Sequence, residues 1–255
     1  MGDKRSIGGS LCNLGTVALI QEDYEAARSL YEESLAIYRE LGDAWGIAFA
    51  FNNLGTIALE QGNHRAARAL YEEGLVIQPE LSDKLGIAGS LHNLGGMAAE
   101  QGDYGAARAL FEENLAIQRE LGDQQGIAAS LNNLGAVAGE QGDYGSAHAL
   151  FKESVAIQRE REDWRGIAAS LESLRALAVA QQWWERAARL SGVAAALREV
   201  ISALLLPPQR AKVEQGMAVV RAALGETAFA AAWAAGRAMS LEEAIRYALD
   251  ETREG

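Results

Sequence analysis

Apolar residues recur at every third or fourth position along residues 86–121, in two blocks separated by a short polar break. On a helical wheel the apolar residues of the first block share one face; they are Ile87, Leu91, Leu94, Met97 and Ala98. The break, Gln101-Gly102-Asp103, supplies a glycine suited to a helix end and an aspartate suited to capping the next helix. The second block runs from about Tyr104 to Leu121. The pattern predicts two helices joined by a tight turn.

This helix pair belongs to a repeat. Residues 86–125 and 126–165 agree at 26 of 40 positions without a gap. The same pattern recurs in residues 46–85, more loosely in 6–45, and fades in 166–205. A fixed period of this length predicts stacked helix hairpins. We therefore expect an all-α chain, with five hairpins in residues 1–205 (6–45, 46–85, 86–125, 126–165 and 166–205) and a helical capping segment in residues 206–255.

The C-terminal segment lacks the repeat but keeps helical signals. The helix of the last repeat is expected to reach roughly Leu205, where Pro207 and Pro208 end it and open the next helix. Helices are predicted from about Pro208 to Leu224, from Thr227 to Ala235, and, after a capping box at Ser240-Leu241-Glu242-Glu243, to about Asp250. Because bulky rings supply much of the burial in a small cap, we expect the aromatic residues of this region to be core: Trp183, Trp184, Phe229 and Trp233.

The repeat resembles the tetratricopeptide repeat. In residues 46–85 the residues that carry the resemblance are Phe51, Leu54-Gly55, Ala58, Ala67 and Tyr71, with Pro79 at the place of that family's closing proline. The resemblance implies a right-handed α-α superhelix whose first helices line a concave groove.

Other copies depart from this pattern, because Arg39, Arg119 and Arg159 stand where Pro79 does, so their second helices are expected to run longer. In this respect the chain resembles the tetratricopeptide variants of kinesin light chains and the helical arms of bacterial LuxR-type and STAND predicted-ATPase regulators. The tail GETAFAAAWAAGRAMSLEEAIRYAL resembles the ends of those same regulators.

Charge and targeting signals narrow the class of partner. The net charge of −12 argues against a nucleic-acid partner, which requires clustered Lys and Arg. The start of the chain has no apolar export signal, and no segment approaches the roughly 20 apolar residues needed to span a bilayer. We expect a cytoplasmic protein without a membrane partner.

No residue pattern indicates an enzyme. The chain has no Gly-rich phosphate loop with Lys and no HExxH motif, and its one cysteine, Cys12, can form neither an internal disulfide nor a thiolate metal site. Three histidines, His64, His92 and His148, occupy different places in the repeat. We predict no catalytic, cofactor or metal site.

Polar residues of the first helices recur in register and form the candidate binding site. One row is Asn13, Asn53, Asn93, Asn133 and Ser173, and beside it runs a second row of Cys12, Asn52, His92, Asn132 and Glu172. A third row begins with Thr16 and Thr56 and continues with small residues, and Phe49 stands where other copies have Gly or Ala. In a stack of hairpins these rows become ladders along the groove. The predicted groove residues are Asn13, Phe49, Asn52, Asn53, Thr56, His92, Asn93, Asn132, Asn133 and Glu172.

An asparagine amide both donates and accepts hydrogen bonds, so a row of them can hold an extended peptide backbone. The family resemblance implies this role for Asn53, Asn93 and Asn133. The alternative is that these amides bond neighbouring helices and fix the stacking, since inward polar groups need partners of some kind. Both interpretations remain open at this point.

The sequence therefore favours an interaction scaffold that binds a peptide or helix of a partner protein in the groove. The alternative is the sensor or regulatory arm of a larger signalling ATPase or transcription regulator. At the N-terminus, the apolar residues Ile7, Leu11, Leu14, Val17 and Ile20 have no predicted helix to cover one side. Either the natural protein continues upstream, or this end forms a homodimer with another copy.

Overall fold

The computed structural model describes residues 2–76, 84–200 and 207–250, which group into two compact units, residues 1–123 and 124–255. The described ranges contain helices and no strand, which confirms the all-α class. Unit 1 contains α1 (Gly2–Ile20), α2 (Tyr24–Leu41), α3 (Ala44–Glu60), α4 (His64–Val76), α5 (Lys84–Glu100) and α6 (Tyr104–Leu121). Pro79 and the domain boundary at residue 205 lie outside the described residues.

The described residues of unit 2 are also helical. Its helices are α7 (Gln124–Glu140), α8 (Tyr144–Glu160), α9 (Trp164–Ala180), α10 (Trp184–Val200), α11 (Pro207–Leu224), α12 (Glu226–Arg237) and α13 (Leu241–Leu249). The longer second helices predicted from Arg39, Arg119 and Arg159 are confirmed, because α2, α6 and α8 all continue past these residues.

Consecutive helices pack as hairpins: α1 with α2, α3 with α4 and α5 with α6 in unit 1, and α7 with α8 and α9 with α10 in unit 2. The turn inside the third hairpin has the predicted chemistry. Gly102 has a φ of 76°, a left-handed conformation that glycine adopts without strain. Asp103 caps α6 by accepting a hydrogen bond from the Ala106 backbone N–H at 3.0 Å.

A glycine–ring contact holds each of the first four hairpins together. The Leu-Gly glycine of the first helix lies under the aromatic ring sixteen residues later, so a methyl group added to Gly55 or Gly95 would sit 2.5 Å from Tyr71 or 2.6 Å from Phe111. The same contact joins Gly15 to Tyr31 and Gly135 to Phe151. The two helices of a hairpin can therefore approach closely because the residue on the first helix is a glycine, which leaves room for the aromatic ring on the second.

In the fifth hairpin the sizes of the two residues are reversed: the large residue is on the first helix and the small residue is on the second. Arg175 stands at the glycine position and Ser191 at the ring position, and the Arg175 guanidinium packs against Gly216 of α11. The contact that closes the earlier hairpins is thus replaced by one between α9 and the C-terminal helices.

The C-terminal helices pack on α10. The backbones of α10 and α12 meet where Gly192 and Gly236 leave no side chain between them. Phe229 is buried, while Trp183, Trp184 and Trp233 are partly buried against the same core, as expected. The predicted capping box is present, formed by Ser240 and Glu243.

Candidate functional site

The first helices of unit 1 present one polar side to solvent. We call it the asparagine face of unit 1; it is carried by α1, α3 and α5 and marked by Asn13, Asn53 and Asn93. Asn13 is exposed, and Asn53 and Asn93 are half-buried. The opposite sides of α3 and α5 are core, with Phe51, Leu91 and their neighbours buried. The amphipathic pattern in the sequence thus produces a buried side and an open polar side.

Asn53 is held by its own helix. Its Nδ2 donates a hydrogen bond to the Phe49 backbone oxygen at 2.7 Å, one turn earlier. An amide has two donor hydrogens and one acceptor oxygen, so this bond uses only part of its capacity. The bond orients the side chain without tying it to a neighbouring helix.

Asn52 has a different environment. Ser90 Oγ donates to Asn52 Oδ1 at 3.0 Å and so joins α5 to α3. Thr56 Oγ1 donates to the Asn52 backbone oxygen at 3.0 Å and lies 3.3 Å from the Tyr71 hydroxyl. Through these contacts Asn52 and Thr56 contribute to the packing of unit 1.

Phe49 is accompanied by an aromatic residue that the sequence prediction missed. The rings of Trp45 and Phe49 stack with centroids 5.3 Å apart and an interplanar angle of 20°. Trp45 lies one turn before Phe49 and is 46% exposed. The signal available in the sequence was a Trp at helical spacing from Phe49 on the polar side of the helix.

His92 lies against Phe111, with ring centroids 6.2 Å apart in an edge-on arrangement. Its side chain keeps an exposed edge, yet desolvation by the surrounding protein lowers the pKa of His92. The imidazole is therefore neutral at pH 7.

Cys12, which occupies the same position in its repeat as Asn52 and His92, is buried. Its Sγ lies 3.0 Å from Ser34 Oγ, which in turn donates to the Gly8 backbone oxygen at 2.9 Å. Burial raises the pKa of the Cys12 thiol, so it stays protonated and unreactive at neutral pH. At the N-terminal end of this row, Cys12 is therefore part of the packing between α1 and α2.

Unit 2 carries the equivalent positions on α7 and α9. Asn132 Nδ2 donates to Ser173 Oγ at 3.2 Å and joins these two helices. Asn133 is half-buried. Glu172 is paired with both Arg175 and Arg198, so its carboxylate is held inside an ion cluster. Of the residues predicted in this unit, Asn133 most resembles Asn53 and Asn93 in position and exposure.

A cavity of about 450 Å³ opens on the second-helix side of unit 1. It is lined by Arg39, Phe51, Ala69, Glu72, Glu73 and Val76. None of the predicted site residues contributes to its wall, so it is a different surface from the asparagine face.

Residues 2–76, 84–200 and 207–250 contain no cluster of three or more His, Cys, Asp or Glu side chains able to hold a metal ion. The three histidines lie on different helices, His64 on α4, His92 on α5 and His148 on α8. No helix in the described part of the chain is both long and apolar enough to cross a bilayer.

Helix hairpins repeated at a fixed period, each with one open polar side, define a helical-repeat protein. The model of the family described as Tetratricopeptide repeat matches residues 6–80 and 86–160. The chain belongs to the tetratricopeptide repeat family, whose repeats generally mediate protein–protein interaction.

Solved structures share this fold. BtubC (BKLC) from P. vanneervenii is 20% identical and superposes with a TM-score of 0.63 over 91% of this chain and 94% of that one. Pseudomonas aeruginosa pilF is 17% identical, with a TM-score of 0.57 over 91% of this chain and 99% of that one. A putative kinesin light chain with TPR-like repeats from Podosopora anserina is 21% identical, with a TM-score of 0.58 over 80% of this chain and all of that one. No curated protein sequence matches the chain.

Proposed function

We propose that this protein is an interaction scaffold that binds a peptide or helix of a partner protein on its asparagine face. The observation that carries this proposal is that Asn13, Asn53 and Asn93 recur in register on a side of α1, α3 and α5 that stays open to solvent. In unit 2, Asn133 holds the equivalent position on α7.

The chemistry of these amides suits a peptide backbone. Each can donate to a backbone carbonyl and accept from a backbone N–H, whatever the sequence of the peptide. A bond of this kind contributes about 0.5–1.5 kcal/mol net. Asn53 is oriented by the Phe49 carbonyl and so loses little side-chain freedom on binding.

We expect the double variant Asn53→Ala/Asn93→Ala to bind peptides about tenfold more weakly, because two bonds of roughly 0.7 kcal/mol each are lost. The probes are peptides selected on the wild-type protein from a random 12-residue phage-display library and then synthesised with a fluorescent label. Binding is measured by fluorescence anisotropy. The melting temperature should remain nearly unchanged, since neither amide is buried.

The matched control is Glu72→Ala/Glu73→Ala, which truncates two exposed side chains on α4 and should leave binding intact. A large fall in melting temperature with peptide binding retained would instead support the stacking role of the asparagines.

The open side of α1 supports a second proposal, that two copies pair through this helix. Leu14 and Val17 are 56% and 50% exposed, and Ile7 and Ile20 are exposed beside them. The equivalent residues of α3, Leu54 and Ile57, are buried, and α2 packs against that helix. A two-fold contact requires one self-complementary patch, and this apolar stripe extends about 20 Å along α1.

We expect light scattering to give about twice the chain mass of 27.2 kDa for the wild type and the single-chain mass for Leu14→Asp/Val17→Asp. Both side chains are already exposed, so the substitutions should not unfold the protein. Val76→Asp, at an 80% exposed apolar residue of α4, is the matched control and should remain dimeric. A monomeric wild type would refute the pairing.

A further inference from the structure

The asparagine face of unit 1 is apolar at one end. Trp45 on α3 and Leu85 at the equivalent place on α5 are 46% and 56% exposed, and Trp45 stacks on Phe49. Large apolar side chains left open side by side are typical of interaction sites. Aromatic residues in particular contribute large contact area at low entropic cost.

Space is available beside the Phe49 ring on the side of α1. Its equivalents on the neighbouring helices are Gly9 and Gly89. A methyl group added at Gly9 would meet only the Tyr38 hydroxyl, at 3.8 Å, and one added at Gly89 would meet the Asn52 amide at 3.2 Å. The Asn52 amide fills the side of Phe49 next to Gly89, and an apolar side chain of a partner can lie against the ring on the side of Gly9.

The other end of the same face is acidic. Glu60 and Glu100 are the last residues of α3 and α5, and both are exposed. The C-terminal ends of helices add partial negative charge of their own. From Phe49 to Glu60 is eleven residues of helix, or about 16 Å.

The two carboxylates at this end also act on a neighbouring buried side chain. The pKa of Tyr71 is raised by burial and, in addition, by the carboxylates of Glu60 and Glu100. The basic side chains at both ends have partners within the chain: Lys84 binds Glu120 and Arg5 binds Asp43 near the apolar end, and Arg28 binds Gln61 and Arg68 binds Gln101 beside the two glutamates. On this face the apolar surface and the two carboxylates are therefore about 16 Å apart.

We infer that the partner segment bound by unit 1 is basic and amphipathic: a bulky apolar side chain packs on Trp45, Phe49 and Leu85, and Lys or Arg side chains lie against Glu60 and Glu100. In an extended peptide about five residues separate the two groups, given a rise of about 3.3 Å per residue. This inference rests on the proposed scaffold function and adds the chemistry of the partner.

The test uses the peptides that the wild-type chain selects from a random 12-residue phage-display library. They should be enriched in Lys and Arg together with Trp, Phe or Leu. The Kd of a selected peptide should rise at least tenfold with Trp45→Ala and severalfold with Glu60→Gln/Glu100→Gln, and it should also rise from 50 to 500 mM NaCl because the ion pairs are screened. The control Glu32→Gln/Glu112→Gln removes the same charge from α2 and α6 and should have little effect.

Two outcomes separate this inference from the function on which it rests. Selected peptides that are neutral or acidic, and that bind Glu60→Gln/Glu100→Gln as well as wild type but lose affinity with Asn53→Ala/Asn93→Ala, would overturn the partner chemistry and leave the scaffold function standing. If every selected peptide binds all of these variants as well as wild type, both proposals fail.

Discussion

Replacing Gly236 by Ala should lower the free energy of unfolding of unit 2 by about 3 kcal/mol, at the upper end of what overpacking costs. A methyl group at Gly236 would overlap the backbone oxygen of Arg189, and one at Gly192 would overlap the backbone oxygen of Trp233. The obstacle is main chain on both sides, so no side-chain rotation can relieve the overlap. The helices α10 and α12 must move apart, and the burial of Phe229 is reduced.

The measurement is urea unfolding followed by circular dichroism and by Trp fluorescence, which reports Trp183, Trp184 and Trp233 in this region. Gly96→Ala is the matched control, because nothing lies within 4 Å of the added methyl group and α5 is helical there. It should stabilise the protein by up to about 1 kcal/mol, since alanine favours helix over glycine. Equal effects of the two substitutions would show that helix propensity, and not the close approach of α10 and α12, determines the result.

Arg186→Ala should release α13 from α10 and destabilise unit 2 by roughly 3 kcal/mol, the upper end of the range for hydrogen bonds made by a charged group. The Arg186 side chain is buried, and its guanidinium donates to the backbone oxygens of Tyr247, Ala248 and Asp250. It also lies over the rings of Trp183 and Tyr247, at 5.7 Å and 5.2 Å from their centroids. The cation thus satisfies the open carbonyls at the end of α13, where a positive charge is favoured.

Hydrogen exchange resolved by mass spectrometry measures the effect directly. Amides of residues 241–249 should lose protection in Arg186→Ala, while those of α7 and α8 keep theirs. Arg186→Lys retains the charge but not the forked geometry, and we expect an intermediate loss. Arg165→Ala, which truncates an exposed arginine on α9, is the control and should cost less than 1 kcal/mol. Unchanged protection of α13 in Arg186→Ala would contradict this account.

Local signals made the hairpins predictable from sequence. The apolar period placed Leu91, Leu94 and Met97 in the core, and Gly102 followed by Asp103 specified a turn and a cap that depend only on adjacent residues. The capping box at Ser240 and Glu243 was equally visible because both partners lie within one helical turn. Repetition then extended these assignments to the neighbouring copies.

The surroundings of each candidate site residue could not be predicted from local sequence signals. Cys12, Asn52, His92, Asn132 and Glu172 share one register, yet their surroundings differ because their partners lie on different helices. Asn52 meets Ser90, Asn132 meets Ser173, and Glu172 meets two arginines. The contact of α10 with α12 joins glycines 44 residues apart, Gly192 and Gly236, and no periodicity connects them.

The glycine–ring contact determines where this array can change length. In the first four hairpins both partners, such as Gly95 and Phe111, lie inside a single 40-residue copy. Duplication or loss of a whole copy therefore carries the complete contact with it. In the fifth hairpin Arg175 packs against α11 instead, so a duplicate of this hairpin alone would lack its partner.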